Sequence, residues 1–159
     1  MATTNAGAMW VFKEFVGFNQ RPVDRNFATF MKVVLCCANG DGEIAPAERE
    51  WVINFAAALN APEGLLEELA TYPADEDVFA LAATSGPVVQ GLRAVLYNAI
   101  FACAADGAYS PQEQALVRRL GAKFGIREDI VAQIEAIYWE SRRLRERRIA
   151  LLFDQGMPY

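Results

Sequence analysis

The chain has 159 residues, of which 53% are hydrophobic and 22% are charged, and its net charge at pH 7 is −5. A chain of this size and composition can bury one substantial core, so we expect a single globular domain over residues 1–159. Histidine is absent, which removes the commonest general base and the commonest zinc ligand. The negative net charge argues against nucleic-acid binding.

The three cysteines, Cys36, Cys37 and Cys103, form no CxxC pair. We expect them to be buried free thiols in a reducing cytoplasm, and a redox switch at Cys36 or Cys37 is the alternative. The N-terminus has no basic segment followed by an apolar stretch, and no apolar run is long enough to span a bilayer. The sequence therefore predicts a soluble, cytoplasmic protein.

Apolar residues recur at helical spacing along nearly the whole chain, and no segment alternates as a half-buried strand would. We predict an all-α fold, a compact bundle of seven to eight helices. The predicted helices, in chain order, cover residues 8–18, 24–38, 46–59, a short stretch around 65–69, a stretch after the acidic residues 75–77 up to 83, and residues 87–103, 111–124 and 128–153. The domain then divides into an N-terminal helix (1–20), a core (24–140) and a basic and apolar C-terminal helix end (141–159).

An internal repeat relates residues 31–69 to residues 96–134 without a gap, at an offset of 65 residues. Both copies contain the pattern Asp-Gly-x-Ψ-x-Pro-x-Glu, in which Ψ is large and apolar. The pattern starts at Asp41 in the first copy and at Asp106 in the second. We predict two helix–loop–helix–turn–helix units related by a pseudo-twofold axis, which share one core because neither could bury its apolar face alone.

Each loop has a structural interpretation. The Asp-Gly pair turns the chain at the end of a helix, since glycine adopts left-handed backbone conformations at little cost. Ser110 and Glu113 then form a capping box around Pro111 at the start of the next helix. The first copy has Ala45 in place of the serine, so it retains only half of the box.

The first loop also resembles an EF-hand calcium loop when Gly42 is placed at the sixth position. Asn39, Asp41 and Glu48 then occupy ligand positions. Cys37 occupies the first position, where an oxygen ligand is required. The loop offers about five oxygens, whereas calcium takes six to eight. The second loop offers fewer, from Asp106 and Glu113, because Ala102 and Ala104 occupy the first and third positions. A weakly bound divalent metal ion is the one cofactor that the sequence leaves open.

The repeated pattern, within an all-helical chain of this size, resembles the TerB-like tellurite-resistance family over about residues 24–140. The matching segments are residues 38–48 and 103–113. The resemblance implies a bundle of about seven helices, located in the cytoplasm or at the inner face of the membrane. It also implies a role in tellurite and other chemical stress, through metal-sensing or membrane-associated complexes and without catalysis. The acidic residues that the resemblance marks for metal contact are Asp41, Glu48, Asp106 and Glu113.

A basic stretch lies near the end of the last helix. Its arginines are Arg142, Arg143, Arg145, Arg147 and Arg148. They form either a solvated helix end matched to the helix dipole or a docking surface for an acidic protein partner or anionic lipid. Apolar clusters in residues 10–18 and 149–153 lie outside the repeat; they either pack against each other or form a dimer or partner contact.

No phosphate-binding loop or hydrolase motif is present, and there is no histidine to activate a thiol. The sequence therefore predicts a non-enzymatic stress-response protein that acts by binding metal or protein. The alternatives are a degenerate EF-hand-like metal binder and an interaction module that uses the arginine-rich helix. A meeting of the Glu48 and Glu113 carboxyls would be needed for acid–base chemistry.

Overall fold

The computed structural model describes residues 25–158, together with Gly7, Met9, Trp10, Lys13, Glu14 and Gly17. Residues 25–158 contain eight helices and no strand, which confirms the all-α prediction. The helices are α1 (Arg25–Ala38), α2 (Pro46–Ala58), α3 (Glu63–Thr71), α4 (Val78–Ala83), α5 (Gly86–Gln90), α6 (Leu92–Cys103), α7 (Pro111–Lys123) and α8 (Glu128–Leu152). Within the predicted helix over residues 8–18, the described residues Met9, Trp10, Lys13 and Glu14 are helical. The rest of that helix, and its packing against the end of α8, lie outside the described residues.

One predicted helix, from residue 87 to residue 103, is divided into α5 and α6 at Gly91. The backbone there has φ −92° and ψ 16°, away from helical values. Glycine has a low helix propensity, and a side chain at this position would press on the Pro87 carbonyl oxygen at 3.3 Å. The periodicity of the apolar residues continues through Gly91, which is why the sequence suggested a single helix.

The repeat is present in the backbone at the predicted offset. Gly42 and Gly107 have φ of 96° and 101°, and Asn60 and Gly125 have φ of 62° and 79°. The turn after α2 is closed by a hydrogen bond from the Ala61 N–H to the Ala56 carbonyl, and the turn after α7 by the equivalent bond from Ile126 to Gly121. These 6→1 bonds around a left-handed residue are those of a Schellman motif. The two copies therefore share turns as well as helices.

The core lies between the two copies, where α1 packs against its counterpart α6 more extensively than any other pair of helices in the described part of the chain. Fully buried side chains of α1 include Met31, Val34 and Leu35, and those of α6 include Leu96 and Ile100. Burying each such side chain contributes about 1.5–3 kcal/mol. This shared core brings the ends of α1 and α6, and so the two repeated loops, to the same end of the bundle. Within the described ranges, no helix is both long and apolar enough to cross a membrane.

Candidate functional site

The two acidic loops have matching turn geometry. Asp41 Oδ1 accepts a hydrogen bond from the Glu43 N–H at 3.2 Å, and Asp106 Oδ1 accepts one from the Ala108 N–H at 2.8 Å. Both aspartates are exposed. Their carboxylates thus stabilise the turn that the following glycine completes, and they stay accessible to solvent on one side.

The two glutamates of the pattern cap helices α2 and α7. Glu48 Oε2 accepts a hydrogen bond from the Ala45 N–H, and Glu113 Oε2 accepts one from the Ser110 N–H, both at 2.7 Å. In the second copy, Ser110 Oγ also accepts a hydrogen bond from the Glu113 N–H, which completes the capping box. Ala45 has no such oxygen, so the predicted half box is confirmed. Both glutamates are buried, with exposed fractions of 4% and 2%.

The buried carboxyl groups of Glu48 and Glu113 meet where the two copies join. Gly40 permits this approach, because a Cβ atom there would lie 3.1 Å from the Glu113 Cα atom. Burial, and then the hydrogen bond and charge of Glu113 and the charge of Asp106, raise the pKa of Glu48 to about 8, although the Ala45 N–H acts in the opposite direction. Two carboxyl groups this close cannot both ionise at little cost.

A proton on Glu48 also resolves the hydrogen bonding of Glu113. In the described part of the chain, Glu113 Oε1 is the one buried side-chain nitrogen or oxygen atom without a hydrogen-bond partner. An ionised Glu48 has no hydrogen to donate to it, whereas a protonated Glu48 has one. The geometry therefore favours a pair that carries one negative charge at neutral pH.

The other predicted metal ligand, Asn39, makes a contact that holds the first loop in place. Its side-chain amide donates to the Ala74 carbonyl oxygen at 3.1 Å, which ties the first loop to the segment before α4. Among the described residues, no group of three or more His, Cys, Asp or Glu side chains has a geometry that could hold a metal ion. Of the five predicted ligands, the structure brings together Glu48 and Glu113, with the charge of Asp106 close enough to act on Glu48. Metal binding stays a prediction.

The cysteines are buried free thiols, as expected. Burial raises the pKa of Cys36 to about 11, and it also raises the pKa values of Cys37 and Cys103. Glu113 adds to the shift at Cys37 and Cys103, because its negative charge opposes a second one nearby. The thiolate is the reactive form of cysteine, so these side chains are poor nucleophiles and poor redox sensors.

The arginines of α8 are all exposed. Arg142 is partly engaged: it forms an ion pair with Glu146 at 3.5 Å and donates to the Tyr138 hydroxyl at 3.1 Å. Across residues 25–158, Arg145 and Arg148 have no carboxylate within ion-pair distance, and neither do Arg143 and Arg147. The last turn of α8 contains no basic residue, and the effect of the helix dipole declines within that turn. Dipole matching therefore explains little of this basic stretch.

A groove of about 1000 Å³ runs between α2, the second acidic loop and α8. Aromatic side chains lie along its floor: Trp51, Tyr97, Phe101 and Tyr138. Phe101 contacts Tyr97 and Tyr138 with ring centroids 4.8 and 4.9 Å apart. Arg142, Arg145 and Arg148 line one side of the groove, whereas Arg143 and Arg147 do not. The groove thus separates the five predicted partner-binding arginines into two sets.

The sequence alone did not indicate the groove. The signal was present in the helical spacing. Tyr97 and Phe101 are four residues apart on α6, and Tyr138, Arg142 and Arg145 follow one face of α8. Which helix would lie opposite that face depends on the packing of the whole bundle, so the sequence alone could not join these residues into a site.

Two copies of a three-helix unit, joined through their Asp-Gly loops around a buried glutamate pair, define an internally duplicated all-helical domain. No protein-family model matches the sequence, and no curated protein matches it. Among solved structures, the chain is similar to a tellurite resistance protein from Nostoc punctiforme. The two chains share 38% sequence identity, with a TM-score of 0.87, over 100% of each chain. The chain belongs to the TerB-like tellurite-resistance family.

Proposed function

We propose that this protein takes part in the response to tellurite and related chemical stress, in the cytoplasm or in a complex at the inner face of the membrane. It acts by binding a partner protein and has no catalytic role. Membership of the family, and the description of the Nostoc protein as a tellurite resistance protein, support the stress role. The exposed arginines of α8 beside the groove support the position of the binding surface.

The observation that carries this proposal is the side of the groove formed by Arg145 and Arg148. Both side chains are exposed, and neither has a carboxylate within ion-pair distance among the described residues. They lie beside a concave, partly apolar floor. A cationic side next to buried aromatic surface is typical of interfaces, in which arginine and aromatic residues are enriched.

Catalysis has less support from the same geometry. The Glu48–Glu113 pair is buried, and one oxygen of each carboxyl group already caps a helix. The cysteine thiols are buried and have raised pKa values. An acid–base or nucleophilic group must reach its substrate to act, and these groups face the core.

The proposal is tested by tellurite tolerance in the source cell. The gene is deleted and replaced with the natural sequence, with R145Q/R148Q, or with R143Q/R147Q. The two double variants remove the same charge from the same helix, but only the first alters the groove. We expect deletion to lower tolerance, the natural gene and R143Q/R147Q to restore it, and R145Q/R148Q to fail. Western blotting confirms that the variants accumulate equally.

Two results would count against the proposal in different ways. If deletion left tolerance to tellurite and to oxidants unchanged, the stress role would be rejected. If R145Q/R148Q restored tolerance as fully as the natural gene, the groove would be rejected as the binding surface. Equal loss of function in both double variants would indicate a response to overall charge, which also contradicts a role for the groove.

The second candidate is divalent-metal binding at the acidic loops, which the unpartnered Oε1 atom of buried Glu113 favours. A metal ion between Glu48 and Glu113 would replace the proton, with water molecules completing its shell. The test is thermal unfolding of chelator-treated protein with calcium, manganese or zinc. At 100 times the dissociation constant, a site adds about 2.7 kcal/mol. A shift that disappears in E48Q supports metal binding, and no shift at millimolar metal rejects it.

A further inference from the structure

The two sides of the groove carry opposite charges. Arg142, Arg145 and Arg148 line the side formed by α8, and Glu50 and Asp106 also line the groove, from α2 and from the second acidic loop. The aromatic side chains of the groove are less exposed than these charged ones, so they form its floor. An occupant that fits must therefore be apolar in the middle, negative along one edge and positive along the other, because charges of opposite sign across an interface fix its register.

The arginines follow one another at the spacing of a helix face. They are three residues apart, so their Cα atoms advance along α8 by about 4.5 Å at each step and by about 9 Å in all. Acidic side chains three or four residues apart on a second helix repeat at nearly the same interval. An extended strand advances about 3.3 Å per residue, with alternate side chains on opposite faces, and matches this row less well.

We propose that the groove binds an amphipathic helix of a partner protein. The apolar face of that helix lies on Trp51 and Phe101, its acidic edge lies along Arg145 and Arg148, and its basic edge faces Glu50 and Asp106. Such helix-in-groove binding depends on apolar anchors at helical spacing. The inference rests on the proposed function, because it specifies the partner of the same surface.

The shape and charge of the groove favour a helix over a membrane. A bilayer presents a broad anionic surface, which Glu50 and Asp106 would repel. Because that surface is broad, it could not enter the groove and contact its concave floor. A single helix is narrow enough to enter. Leu144, which is 55% exposed and also lines the groove, is placed to contact the apolar face of such a helix.

The test is site-specific photo-crosslinking in the living source cell with the full-length chain. A photoreactive phenylalanine analogue replaces Leu144 in the groove or, as the control, Arg147 on the same helix outside it. Both side chains are exposed, so neither replacement disturbs the core. We expect an adduct at position 144 and none at position 147. Mass spectrometry of the crosslinked peptide should identify a helical segment with an apolar face, one acidic edge and one basic edge.

Charge reversal sharpens the test. R145E/R148E should lower the yield of the adduct at position 144 by about tenfold, and R143E/R147E by less than twofold, because only the first pair faces the partner. Circular dichroism of both purified variants checks that they are folded. No adduct, a lipid adduct, a crosslinked segment without the two-edged pattern, or equal yields in the two variants would overturn the inference. Its failure is distinguishable from failure of the stress role, because the adduct does not depend on whether deletion alters tellurite tolerance.

Discussion

The two acidic loops, residues 39–48 and 104–113, have nearly the same backbone but different surroundings. Each turns at a left-handed glycine, each uses its aspartate to hold the turn, and each ends with a glutamate that caps the next helix. The first loop is additionally tied to Ala74 through Asn39. The second loop has alanine at the position of that asparagine, and it retains the serine cap that the first loop lacks.

This difference shows which residues the duplicated fold requires. The aspartate, the glycine and the glutamate each satisfy a backbone group or adopt a conformation that few other residues can, and they are the same in both copies. Two pairs of equivalent positions differ between the copies, 39 with 104 and 45 with 110. At each pair one copy makes a hydrogen bond that the other lacks, and the loss costs about 1 kcal/mol of stability. The glutamates have a second role, because the place where the copies join is also where the two carboxyl groups meet.

The largest expected effect concerns the joined glutamates. Above about pH 4.3 an unfolded chain has released the proton of Glu48, whereas the folded protein retains it up to about pH 8. Unfolding therefore releases a proton in this window, and the free energy of unfolding should fall as the pH rises, by up to about 1.4 kcal/mol per pH unit. Over three pH units the loss is about 3–4 kcal/mol. The contribution of Glu48 should level off above pH 8, where the three buried cysteines, whose pKa values are raised in the folded protein, begin to lower the free energy of unfolding in their turn.

Urea unfolding at pH 5, 6, 7, 8 and 9 measures this loss. E48Q is the control, because its amide is neutral at every pH and can still donate to Glu113 Oε1. The variant should lose most of the pH dependence between pH 5 and pH 8 and be the more stable protein at pH 9, where the cysteines affect both proteins alike. If the free energy of unfolding depended on pH in the same way in E48Q and in the natural protein, the carboxyl groups of Glu48 and Glu113 would not share a proton.

The next effect compares the left-handed residues after α2 and α7. Gly125 has φ 79°, and a Cβ atom added there would contact nothing within 4 Å, so G125A tests backbone strain alone. We expect G125A to lower the free energy of unfolding by about 1–2 kcal/mol. N60G should raise it by about 0.5 kcal/mol, because Asn60 already accepts φ 62° at a small cost.

Thermal or urea unfolding measures both changes. G64A is a suitable control, because Gly64 lies in α3 with open space around it and should gain stability when replaced by alanine. If G125A were as stable as the natural protein, a left-handed residue after α7 would not require glycine. The two turns would then be alike in backbone, and the left-handed conformation would carry no measurable strain.

Much of the fold was predictable because the same helix and turn signals occur in both copies of the repeat. The predicted starts of α2 and α7 at Pro46 and Pro111 were confirmed, since proline, a glutamate cap and a preceding Asp-Gly turn are all local signals. The break at Gly91 was missed, because a single glycine within an apolar helical pattern is compatible with a continuous helix. Local sequence signals therefore predicted the ends of helices better than they predicted a break inside one.

The candidate sites were predictable only as sets of residues. Glu48 and Glu113 were known to occupy equivalent positions, but their contact depends on Gly40 and on the packing of α1 against α6. The arginines of α8 were identified by composition, whereas the separation of Arg145 and Arg148 from Arg143 and Arg147 needed the groove. Spacing along one helix gives a face, and only the tertiary packing shows what lies opposite that face.

The smallest expected effect exchanges the caps of the two copies. Ala45 and Ser110 have almost the same backbone angles, φ −62° and ψ 147° against φ −66° and ψ 153°. A serine at position 45 can therefore accept a hydrogen bond from the Glu48 N–H, as Ser110 does from Glu113. We expect S110A to lose about 1 kcal/mol and A45S to gain about 0.5–1 kcal/mol, so that the double variant A45S/S110A is close to the natural protein. Urea unfolding resolves these differences. If A45S did not raise the free energy of unfolding while S110A lowered it by the full amount, the first loop would be held by Asn39 and the buried glutamate alone. The two helix caps would then not be equivalent.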